Sequence, residues 1–143
     1  MLPRKFYVTL DALVYISLAS IEKPVGAKEL AEYLSLPPRY LEVILQGLVK
    51  EKVLRSVRGP RGGYFLGKER RKICISDIYT VVMNADEANV ANEPELPEYI
   101  GIFGAELDGR IHVLLQQHTL DDLVVACRKH RPSGLKSEGN FVI

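Results

Sequence analysis

Apolar residues recur with a helical period through residues 8–21, "VTLDALVYISLASI". Leu10, Leu13, Val14, Ile16, Leu18 and Ile21 gather on one stripe and predict a first helix. A short second helix is expected over 27–34, "AKELAEYL", starting at Val25 or Gly26, with Leu30, Ala31 and Leu34 on a shared face. In "SLPPRYLEVILQGLVKEKVL", Pro38 disfavours helical backbone at Pro37 but suits a first helical position, where its missing N–H has no partner to lose. A third helix is therefore expected from Pro38 to near Lys50. Leu41, Ile44, Leu45, Leu48 and Val49 form its core face, and Arg39, Tyr40, Glu42, Val43, Gln46 and Lys50 the other. Two helices joined by a tight turn predict a helix-turn-helix, a pattern of modest specificity alone.

The period then changes. "VLRSV" (53–57) and "GYFLG" (63–67) predict two short strands around the tip "RGPRG", with Val53 and Val57 facing the core beside Tyr64 or Leu66. A helix-turn-helix followed directly by such a hairpin is a winged helix, a far more specific combination. Residues 75–83, "ISDIYTVVM", predict a fourth helix with Ser76 as N-cap. Residues 84–98 are acidic, hold two prolines and no basic residue, and read as a linker loop. From Tyr99 to Gln117, Ile102, Phe103, Leu107, Ile111, Leu114 and Leu115 recur near helical spacing. This long helix has few partners within the chain, so its stripe is expected to pack on a second copy. "TLDDLVVAC" (119–127) is a short helix capped by Thr119, and the basic tail from residue 130 is expected to be flexible. The predicted fold class is mainly α with a small β-hairpin wing.

Composition sharpens this picture only locally. The chain has 143 residues, 47% of them hydrophobic, enough for one ordinary domain core. No run of apolar residues is long enough for a membrane span, and Asp11 interrupts the apolar N-terminal stretch, so that stretch reads as a core helix rather than a signal peptide. Two cysteines, Cys74 and Cys127, are too few for a disulfide framework, and a cytoplasmic location is expected. The net charge is only +1, yet nine basic residues lie between Lys50 and Lys72 against Glu51 and Glu69. That segment carries +7 and the remainder −6. Such a block, centred on the glycine-rich "SVRGPRGGYFLG", suits a polyanion, although a solvated charged face is the commoner reading of charge alone.

"PVGAKELAEYLSLPPRYLEVILQGLVKEKVLRSVRGPRGGYFLGK", residues 24–68, closely resembles the core of the Rrf-two (IscR-like) family of bacterial transcription regulators. "YLE" in the third helix and "SVRGPRGGY" carry the resemblance most specifically, and "ISDIY" and "TLDDLV" resemble later family segments. The resemblance implies a winged-helix homodimer with its third helix in the major groove of DNA and its wing in the minor groove. Many family members hold an iron–sulfur cluster on three cysteines between the fourth helix and the long helix. Residues 84–106 contain no cysteine here, so no cluster on those ligands, and no other cofactor, is expected.

In that setting Gly59, Gly62 and Gly63 would let the wing backbone turn and approach a phosphate or groove wall, with Tyr64 anchoring the wing. Arg58 and Arg61 would enter a narrow A·T-rich minor groove; the alternative is a tight hairpin with solvated arginines. Arg39, Tyr40, Glu42, Val43 and Gln46 are the base-facing candidates, since arginine bonds guanine, glutamine bonds adenine and glutamate accepts from cytosine. Glu42 could equally pair with Arg39 or Lys50 on the helix surface. Lys28, at the start of the second helix, and Arg4 and Lys5 are phosphate-contact candidates or plain surface charges.

The expected organisation is a winged helix-turn-helix DNA-binding domain (1–83), an acidic linker (84–98), a dimerisation helix with a short C-terminal helix (99–129) and a flexible tail (130–143). The expected function is a sequence-specific DNA-binding regulator, a repressor, acting as a homodimer on a near-palindromic operator and responding to a small-molecule or protein effector. No enzyme is expected. His112 and His118 are six apart, on different sides of a helix, and no metalloprotease motif, catalytic triad or phosphate loop occurs. Cys127 and His130 make at most half a metal site, and no metal is expected. Cys74 or Cys127 could act as a redox switch, though small structural cysteines are the simpler reading. The alternative function is a winged-helix module that binds a metabolic enzyme and has no need of the basic block.

Overall fold

A computed structural model describes residues 1–85 and 93–130. Its elements are α1 (Arg4–Ala19), α2 (Ala27–Leu34), α3 (Pro38–Lys50), β1 (Leu54–Val57), β2 (Gly63–Leu66), a 3-10 turn (Arg70–Lys72), α4 (Ile75–Asn84), α5 (Glu98–Leu115) and α6 (Leu120–His130). Helix α1 starts four residues before the periodic stretch because Pro3 opens it: the Pro3 carbonyl accepts from the Phe6 amide at 3.0 Å, and Phe6 is buried. It also stops earlier than expected, so Ile21, placed on the stripe by its spacing, lies past the helix end and is 75% exposed. Helices α2 and α3 have the expected bounds. Pro38 occupies the first turn of α3, and Pro37 before it is extended, as the two prolines require.

Strands β1 and β2 pair antiparallel with Leu54 opposite Leu66 and Val57 opposite Gly63. Val53 and Leu54 are buried at the base of the hairpin, and β2 lies half-buried against the body along its length. Val57 does not face the core as the alternation implied; it sits near the tip, opposite Gly63, and is exposed. A third piece of extended chain joins the ladder at Val25, which exchanges backbone hydrogen bonds with Tyr64 at 2.8 and 3.0 Å.

Helix α4 begins at Ile75 as expected and runs one residue further, to Asn84, but Cys74 rather than Ser76 holds the N-cap position. The Ile75 amide donates to the His118 carbonyl at 3.0 Å, which fixes the entry of the chain. Ser76 is buried inside the first turn and shares a 3.1 Å hydrogen bond with the Cys74 thiol. A Cβ on Gly47 of α3 would lie 2.9 Å from Val81 Cγ1 of α4, so these two helices pack without slack.

One core joins α1 to α4 and the base of the hairpin, and Leu120 and Val124 of α6 are fully buried within it. Helix α6, expected beside the dimerisation helix, thus packs on α1 and the 3-10 turn. Thr119 precedes it, and the Thr119 amide donates to the Asp122 carboxylate at 2.9 Å, half of a capping box. Helix α5 has no buried residue. Ile111 and Leu115 are half-buried against the core, whereas Ile102, Phe103, Leu107 and Leu114 are exposed. Residues 86–92 of the expected acidic linker and residues 131–143 of the expected tail lie outside the described residues.

Candidate nucleic-acid interface

Two protruding features lie next to each other in sequence and in space. The first is the outward face of α3. Its buried side, Leu41, Ile44, Leu45 and Leu48, fixes the helix rotation, so Arg39, Tyr40, Glu42, Val43 and Gln46 all point to solvent. The second is the tip of the hairpin, where Arg58, Gly59, Pro60 and Arg61 are all exposed. Gly59 has φ +114°, a backbone conformation that disfavours any side chain, and a Cβ there would meet nothing within 4 Å. The turn closes through the Gly62 amide, which donates to the Gly59 carbonyl at 2.9 Å.

The glycines of the wing divide into two groups. Gly59 leaves open backbone at the tip. Gly62 and Gly63 instead make room for the protein itself: a Cβ on Gly62 would sit 2.2 Å from the Val57 carbonyl oxygen, and one on Gly63 2.3 Å from that of Val25. The close approach expected for Gly62 and Gly63 towards an outside phosphate is therefore an internal one.

Glu42 lies on a side of α3 from which its charge reaches Tyr64 of the wing. Burial raises the Tyr64 phenol above its ordinary pKa, and the charge of the Glu42 carboxylate adds to the shift. Glu42 forms no ion pair among the described residues, with Arg39, Lys50 or otherwise. Arg4, Lys5 and Tyr40 line one shallow cleft of about 260 Å³ with Leu36 and Pro37, so the start of α1 reaches the start of α3. Lys28 is exposed in the first turn of α2.

Part of the basic block serves the fold. Arg70 Nε lies 2.6 Å from Asp121 Oδ1 and Arg71 Nε 3.8 Å from Asp121 Oδ2, tying the 3-10 turn to α6. The Arg55 guanidinium stands 4.8 Å from the centroid of the Phe65 ring on the wing face. Strand register sets Arg55 opposite Phe65, and only a hairpin prediction with the correct register would have shown it. Lys50, Lys52, Arg58, Arg61, Lys68 and Lys72 form no ion pair among the described residues. Sequence reading also missed Val25 as a strand partner; an isolated valine before a helix carries no alternation to detect.

The comparisons with known proteins agree with this geometry. Residues 2–126 match the Rrf2 family, described as an iron-dependent transcriptional regulator. The HTH-type transcriptional regulator IscR of Pectobacterium atrosepticum is 30% identical over 118 residues, which cover 79% of this chain and 72% of that protein. IscR of Serratia proteamaculans is 35% identical over 77 residues, 54% of this chain and 47% of that protein, so here the match spans about half of the relative. Among solved structures, T. potens IscR superposes with a TM-score of 0.68 at 25% identity, covering 94% of this chain and 93% of that one. Oxidised CymR of Staphylococcus aureus shares the fold, with a TM-score of 0.63 at 22% identity and coverage of 87% and 95%. These relatives are transcriptional regulators, not enzymes.

The residues present do not fit an iron–sulfur cluster. The chain has two cysteines, and the Cys74 thiol is held by the Ser76 hydroxyl and the carbonyls of Leu115 and Gln116. Cys127 packs against the core from α6. Among the described residues no three His, Cys, Asp or Glu side chains gather closely enough to hold a metal ion. None of their helices is long and apolar enough to cross a membrane.

Proposed function

Because the chain belongs to the Rrf2 family of transcriptional regulators, we propose that it binds a near-palindromic DNA operator as a homodimer and represses the promoter that operator overlaps. Helix α3 enters the major groove and the wing the adjacent minor groove. The observation that carries this reading is the pairing of a solvent-facing polar edge on α3 with a wing tip that is bare and cationic. Arg39, Tyr40, Glu42 and Gln46 read base edges, where each good contact discriminates by roughly 1–3 kcal/mol. Arg58 and Arg61 enter the minor groove, and Gly59 lets the backbone between them come close. Lys28 and Arg4 hold phosphates and set the register without reading sequence, whereas the Lys5 ammonium nitrogen is buried in the fold.

The homodimer forms through the exposed seam of α5, where Ile102, Phe103, Leu107 and Leu114 find no cover within the described residues. A family whose description names iron is represented here by a chain without the donors for a cluster, so regulation runs through another signal, a small molecule or a protein. The test is a mobility-shift assay with fragments of the source genome. Replacing Arg58 and Arg61 together by alanine should weaken the shift at least about tenfold while the dimer stays intact. Retained affinity in that double variant would overturn the wing assignment. If the purified dimer shifted no genomic duplex in dilute buffer but retained a metabolic enzyme, the protein-docking module would replace the regulator.

A further inference from the structure

A cleft of about 500 Å³ opens between the C-terminal half of α3 and the solvent edge of α4. We propose that it binds a free amino acid, and that the bound amino acid weakens the grip on DNA; the second half rests on the regulator reading above. Its apolar lining is Val43, Gly47 and Val81. Lys50 and Glu51 stand at the end of α3, Lys68 follows the wing, and Asp77 stands on α4. These are two cations and two anions around one concavity, and none of the four forms an ion pair among the described residues.

That charge pattern selects the ligand class. An anion alone would meet Asp77 and Glu51, and a cation alone would meet the two lysines. A zwitterion satisfies both signs, with its carboxylate on the lysines and its ammonium on Asp77. Thr80 strengthens the ammonium side: its hydroxyl already donates to the Ser76 carbonyl at 3.0 Å, so towards the cleft it can only accept. The apolar lining of Val43 and Val81 then takes the side chain of the amino acid.

The cleft shares parts with the proposed DNA surface. Val43 lines it and also lies on the outward face of α3. Lys50 carries one of the unpaired positive charges at the end of that helix. An amino acid carboxylate on Lys50 withdraws that charge from phosphate, and the tight Gly47–Val81 contact leaves α3 no room to move inward in response. Linkage then requires DNA and amino acid to weaken each other by the same factor.

The test uses the full chain. Calorimetric titration with each common L-amino acid at millimolar concentration should find at least one binder. Its decarboxylated amine and its N-acetyl derivative should not bind. Asp77→Asn, outside the proposed DNA contacts, and Lys68→Gln should each weaken binding about tenfold or more, the worth of one charge-assisted hydrogen bond. The binder should weaken the mobility shift of wild type more than that of Asp77→Asn. The site is overturned if no amino acid binds, if the amine or acetyl derivative binds equally well, or if neither variant changes the affinity. Binding with an unaltered shift overturns the coupling. The shift measured without amino acid separates the two readings: a firm shift with no amino acid binding sinks only this proposal, and amino acid binding without any shift sinks the regulator and the coupling but keeps the site.

Discussion

Gly63 shows how a single residue can be legible in kind and misread in purpose. Four glycines in twelve residues announce close backbone approach, but the nearest backbone belongs to Val25, 38 positions earlier, and no local pattern reveals it. Gly63→Ala should force Val25 and Tyr64 apart and lower stability by about 1–3 kcal/mol, read as a drop in the urea midpoint. An unchanged midpoint would mean that the Val25 segment is not held in the ladder. A second residue-scale effect concerns pH. Burial raises the Tyr79 phenol above its ordinary 10.0, and the charge of Asp108 and its hydrogen bond with Tyr79 raise it further. The fold therefore favours the neutral phenol. That stabilisation is complete below the unfolded pKa and is lost as pH climbs through about 10 towards the folded value. Tyr79→Phe should flatten this part of the alkaline unfolding profile; an equally steep decline in the variant would assign it to other groups.

Among the elements, α2 and α3 were fully legible because local signals agree there. The prolines set the start of α3, and its apolar period sets its rotation, which leaves the candidate reading edge outside. Other elements were legible in part. The hairpin's existence could be read, but not which face of β1 the body covers, so Val57 was assigned to the wrong side. The cap of α4 depends on a hydrogen bond from Ile75 to His118, a contact 43 residues apart that a propensity rule for serine does not contain. Helix α5 is the element whose sequence pattern makes sense only outside the single chain. Leu107→Glu would place a carboxylate in the proposed seam, and light scattering should then report a monomer of unchanged helix content. A persisting dimer would move the interface elsewhere.

At the scale of the whole molecule, two α3 helices in a dimer should stand about one duplex turn, or a multiple of it, apart. If each protomer makes about four phosphate contacts, log affinity should fall against log salt with a slope near −7. A flat response would remove the role of the unpaired cations around the wing. The described chain has one core rather than separable units, because α6 returns from α5 to bury Leu120 and Val124 under α1 and to hold Arg70 through Asp121. Among the described residues, helix α5 is thus rooted along its second half, by Ile111 and Leu115, and exposes its apolar residues along its first. It is a cantilever. The first half spans roughly ten residues, about 15 Å at 1.5 Å per residue, so a tilt of about 10° at the root carries the far end close to 3 Å. Small repacking around Tyr79 is thereby magnified at the place where two copies would meet.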